Sequence, residues 1–112
     1  MIKIPEKFKI GGHIYTVQFP YRFEERSDIN GLHLRESTNI RITDCDETGC
    51  KRSVSTIYVT VIHEVLHSID QAFCHGILAN DKENGENIIK GLSEGIFAFL
   101  IDNGYLKKIE DD

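Results

Sequence analysis

Two spacings of apolar residues divide the chain. As far as about residue 43 they alternate with polar ones, which predicts strands. From about residue 55 they recur every three or four positions, which predicts helices. Phe8-Lys9-Ile10 and His13 to Phe19 read as two strands, and Gly11-Gly12 reads as the hairpin turn between them. In the second strand Tyr15, Val17 and Phe19 share one face and are the expected core side. Pro20 ends that strand. Residues 21–30 are charged and mixed, and they predict a surface loop or a short helical turn. Gly31 to Arg35 and Asn39 to Thr43 alternate again, as a second hairpin turning at Glu36-Ser37-Thr38. A polar loop over 44–52 follows.

The stretch from about Ser55 to Phe73 contains no Gly or Pro and predicts a long helix, with Ser53 or Ser55 as its N-cap. Ile57, Val61, Ile62, Val65, Leu66, Ile69 and Phe73 surround most of its circumference, so it should be covered on several sides. Gly76 is the expected stop, and Asn80 to Gly85 a polar linker. A second helix is predicted from about Glu86 to Asp102, with Ile88, Leu92, Ile96 and Phe99 as its packing stripe. Tyr105 to Ile109 should pack back on the domain, and Glu110-Asp111-Asp112 reads as a solvated acidic end. The pattern predicts a single α+β domain over 1–112: a small antiparallel or mixed sheet of N-terminal hairpins against two helices.

The long helix carries the chemistry. His63-Glu64-Val65-Leu66-His67 reads H-E-x-x-H. On a helix the two histidines lie one turn apart and point the same way, so both imidazoles can close on one Zn²⁺. Glu64 lies about 100° further round, where its carboxylate can take a proton from a water that the metal has made acidic. Three polar side chains carried on an apolar helix need partners, and a metal with its water satisfies all three. Asp70, three residues after His67, either accepts from the far nitrogen of a ligand histidine or otherwise braces the site, or it is a surface carboxylate.

A catalytic zinc needs a third protein ligand. A histidine six residues after His67 would serve, but Phe73 stands there. Glu94 is the preferred candidate, because Gly91, Gly95 and Ala98 around it let another helix approach closely. Glu86 is the alternative, although Lys90 at i+4 suggests a surface ion pair for it. His75 and Asp70 complete the field. The group that stabilises the oxyanion is open among Tyr58, Tyr105, His33 and His75. His13 and His33 themselves read as exposed strand histidines.

Composition narrows the function. Hydrophobic content of 40% and charged content of 28% over 112 residues suit one soluble globular domain. A net charge of −5 argues against a nucleic-acid surface. No apolar run reaches membrane-spanning length, and Met-Ile-Lys-Ile-Pro lacks the apolar core of a signal peptide, so a cytoplasmic protein is expected. Cys45, Cys50 and Cys74 then read as reduced thiols, since C-x₄-C alone is a weak zinc signal.

The block Ile62 to Asp70 and the later Leu92-Ser93-Glu94-Gly95-Ile96 to Asp102-Asn103 resemble the small metallopeptidase-like proteins of phages and prophages related to the ImmA/IrrE peptidases. The resemblance covers both hairpins and both helices and is specific around residues 62–70. It implies a minimal zincin fold, a zinc held by His63, His67 and a glutamate of the following helix, and hydrolysis of a peptide bond with Glu64 as general base. It further implies a specific protein substrate such as a repressor, cut at few sites. The substrate is expected beside an edge strand, with Ile40 and Ile42 as the candidate strand. Two other readings are a zincin-fold module that binds a protein partner without cutting it, and a zinc-stabilised structural domain.

Overall fold

The structure is a computed structural model that describes residues 4–24 and 29–106. Part of the predicted loop over 21–30, the segment 107–109 and the acidic end lie outside the described residues. The four strands are β1 (Lys7–Ile10), β2 (His13–Gln18), β3 (Gly31–Leu34) and β4 (Asn39–Ile42). The helices are α1 (Val54–Phe73), α2 (Ile77–Asn80) and α3 (Gly85–Asp102).

Both predicted hairpins form. Gly11 and Gly12 take φ of 58° and 83°, which a side chain would resist, and they set Ile10 opposite His13. The second hairpin sets Leu34 opposite Asn39. The hairpins join through β2 and β4, which run parallel, so the sheet is mixed and ordered β1-β2-β4-β3. This order corrects one expectation. The strand with Ile40 and Ile42 is internal, both residues are fully buried, and the edge beside the helices is β3.

Alternation places Tyr15 in the core and Val17 half-buried beneath it, but β2 ends at Gln18 and Phe19 is exposed. Tyr15, Ile40 and Ile42 from the sheet meet Ile57 and Val61 from α1. Phe8, Ile10 and Val65 close the margins of this core.

Ser53 caps α1 by accepting from the Thr56 amide at 3.3 Å. The helix ends where His75 and Gly76 both turn left-handed, at φ 54° and 72°. Its covering is less complete than expected: Ile69 is 37% exposed and Phe73 65%. A turn of helix, α2, precedes the segment read as a linker and ends at its first residue, Asn80.

The packing stripe predicted on α3 is the wrong one. Ile89 and Ser93 are buried, whereas Ile88, Leu92 and Phe99 are exposed by 42%, 47% and 56%. The cause is tertiary. Among the described elements α3 lies on α1 and α2 and approaches no strand, so these residues stand outside its contacts with them. No helix among the described residues is long and apolar enough to cross a membrane.

Candidate metal centre

His63 and His67 follow α1 at i and i+4, so their rings rise from one face of it. Their Nε2 atoms are 3.2 Å apart. α3 starts beside them and brings in Glu86, whose Oε1 is 2.6 Å from His63 Nε2 and whose Oε2 is 3.3 Å from His67 Nε2. These are the described residues whose ligand atoms gather closely enough to hold a metal. Four ligands placed tetrahedrally at zinc–nitrogen distances stand about 3.3 Å apart. The 3.2 and 3.3 Å separations match that spacing, the 2.6 Å one is a hydrogen-bond contact, and the donor set of two imidazole nitrogens and a carboxylate suits zinc.

The third member corrects the sequence preference. Glu94 follows Glu86 by eight positions, which on a helix carries it about 12 Å along the axis and about 80° round it. It is exposed and does not join the group. Glu86, in turn, forms no surface pair with Lys90 among the described residues, because its carboxylate faces the histidines.

Two close backbone approaches set Glu86 in place. Gly85 lies against the Leu78 carbonyl so tightly that a Cβ would collide with it. Its amide donates to the Asp81 carbonyl at 2.8 Å. The Asp81 side chain accepts from the amides of Glu83 and Asn84 at 3.2 and 3.0 Å and so closes the turn into α3.

Of the roles open to Asp70, the surface carboxylate is not the one observed. It is 2% exposed, so it is no surface carboxylate, and its oxygens reach α2 rather than a ligand histidine. They accept from the amides of Leu78 and Ala79 at 3.1 and 2.9 Å. Asp70 therefore ties the helix of the two histidines to the segment on which Glu86 is mounted. An acid at this position is visible in the sequence, but its burial and its partners are not.

Glu64 is buried beside the group, against the first residue of β3. A Cβ on Gly31 would stand 2.9 Å from Glu64 Oε2 and 2.7 Å from Thr60 Cγ2, so the missing side chain makes room for the carboxylate. Burial, and then the charge of Glu86, push the Glu64 carboxyl up to about 8. Burial holds His63 below its ordinary value against the pull of Glu86. Val59, Thr60, His63 and Glu64 from α1, Ile29 to Gly31, and Glu86 and Lys90 enclose a cleft of about 330 Å³.

Of the four groups considered for the oxyanion, His33 adjoins the site. Its ring lies parallel to that of His67 at 6.4 Å, and its Nε2 meets the Tyr15 hydroxyl at 3.1 Å. Burial, His67 and Arg35 lower its pKa. His33 is thus half-buried rather than the exposed strand histidine expected. Tyr58 packs on Phe97 and Tyr105 on Phe99, while His75 lines a separate cleft with His13. Cys45, Cys50 and Cys74 are free thiols and take no part in the group.

Comparisons with protein-family models, with curated proteins and with solved structures give no match.

Proposed function

We propose that the chain is a zinc-dependent peptidase built on a minimal zincin layout, with His63, His67 and Glu86 as ligands and Glu64 as general base. One observation carries this reading: three ligand atoms of the right chemistry converge at zinc spacing, and the motif carboxylate is buried beside them. Zinc, when bound, supplies a Lewis acid that acidifies a water and polarises the scissile carbonyl. His63 and His67 present their Nε2 atoms, and Glu86 its carboxylate. The Glu64 carboxylate accepts the proton of the attacking water as the oxygen–carbon bond forms. It then passes that proton to the amine nitrogen as the carbon–nitrogen bond breaks. Gly31 leaves the space in which Glu64 does this, and burial of Glu64 limits the contact of its carboxylate with bulk water.

The test is zinc content per chain in the purified protein. We expect about one zinc, lost with His63→Ala or His67→Ala, weakened at least about tenfold with Glu86→Gln, and unchanged with Glu94→Gln. Peptide cleavage should then vanish with Glu64→Gln while zinc stays bound. A folded chain that takes up no zinc overturns the reading.

A second reading is a binding module of the same layout, and the exposed stripe of Ile88, Leu92 and Phe99 favours it. Zinc binding without any Glu64-dependent cleavage would support that reading.

A further inference from the structure

The cleft beside the candidate centre has an asymmetry of charge. His63, Glu64 and Glu86 line it together with Gly31 and Thr60. Lys90 lines the same cleft, one helical turn beyond Glu86. It is the one lysine or arginine in the cleft wall, and it has no ion pair among the described residues. The other nearby cation, Arg52, is occupied: its guanidinium donates to the carbonyls of Thr43 and Thr56 and to the Thr60 hydroxyl. The carboxylate expected to neutralise Lys90, that of Glu86, is turned onto the two histidines.

An ammonium beside Glu64 and His63 faces whatever part of a substrate lies next to the bond being attacked. The cleft holds about 330 Å³, which suits one side chain. The carboxylates of Glu64 and Glu86 in its wall would repel an acid, but a bound divalent cation reverses that sign. We propose that Lys90 selects substrates carrying a carboxylate on the residue adjoining the scissile bond, either an acidic side chain or the free end of a chain. Lys90 is a specificity-determining residue in this scheme, which rests on the zinc-peptidase reading. The net charge of −5 disfavours anionic ligands over the rest of the surface, so the selection is local to the cleft.

The test is binding to the zinc-loaded full chain, followed by calorimetry. Three malonyl monohydroxamates serve as probes: one coupled to glutamate diamide-capped at its backbone, one to alanine with a free carboxylate, one to alanine amide. Each grips zinc through the same hydroxamate, so their differences report the cleft. One of the two carboxylate probes should bind about fivefold tighter than the alanine amide at low salt. Which of them does so identifies the source of the carboxylate. The advantage should fall to about one in Lys90→Gln, invert in Lys90→Glu, persist in Lys90→Arg, and shrink at high salt. Equal affinities for the three probes, or an advantage that survives Lys90→Gln, overturns the proposal and leaves the zinc reading intact. Failure of the chain to take up zinc overturns both.

Discussion

Gly85 rests on the carbonyl of Leu78, and the residue that follows it is the acid that meets both histidines. Glu86 owes its position to a contact that only a residue without a side chain can make. Gly85→Ala should push the start of α3 away from α2, because backbone yields less readily than a side chain. We expect a loss of about 2 kcal/mol of stability. Zinc affinity should fall with it, although every proposed ligand is still present. Thermal melts and a zinc titration of the variant check both effects.

Asp70 should act on the same residue from the other side. Asp70→Ala leaves the amides of Leu78 and Ala79 without their acceptor, at about 1–3 kcal/mol for each orphaned group that water does not reach. Stability and zinc affinity should decrease together. Asp70→Asn should recover little, since one of its two positions would set an NH₂ against an amide donor. Chemical denaturation of both variants, with and without zinc, decides this.

Gly31 separates fold from catalysis. A methyl group there meets the Glu64 carboxylate and the Thr60 methyl, and both belong to side chains that can shift. Gly31→Ala should therefore retain the fold and about one zinc per chain but lose most Glu64-dependent cleavage. An unchanged rate would mean that the carboxylate does not work from where it lies.

The pH dependence has a definite sign. Glu64 titrates at about 8 in the folded chain, against an ordinary value of 4.5. The folded form thus holds its proton more tightly than the unfolded form does. The stabilisation is fully present below about 4.5 and is lost as pH rises through about 8, with a total of roughly 4–5 kcal/mol. His63 and His33, lowered by burial, act in the opposite sense: their contribution is present above about 6.5 and is lost as pH falls. The clean quantity is the difference between wild type and Glu64→Gln, both without metal, measured by denaturation from pH 5 to 8.5. Wild type should lose stability relative to the variant across that range.

What the sequence discloses follows the range of the interactions. His63, Glu64 and His67 lie within one helix, so their mutual arrangement follows from helical geometry alone. The hairpins are equally local, because Gly11-Gly12 and the alternation around Tyr15 fix turn and register together. Glu86 and Glu94 cannot be separated in this way. Both lie on α3, and only the angle at which α3 meets α1 decides between them. The small residues near Glu94 suggested a close helix contact, but the contact that matters is made by Gly85 against α2. The stripe of Ile88, Leu92 and Phe99 misled for a related reason. Apolar periodicity identifies a face but not what covers it, and among the described elements α3 meets only α1 and α2. Parallel pairing of β2 with β4 is likewise invisible to a pattern that repeats every two residues.

The proposed ligands divide the molecule into two parts of unequal dependence. None of them comes from the sheet, whose Ile40 and Ile42 pack on Ile57 and Val61 of α1 and not on α2 or α3. His67 and Glu86 lie 19 positions apart and enclose the whole of α2. A cation gripped by both would fasten that segment as a cross-link fastens a loop, and closure of a loop of this length is worth about 3 kcal/mol. Withdrawing it should let amide hydrogens in α2 and early α3 exchange quickly while those of β2 and β4 remain protected.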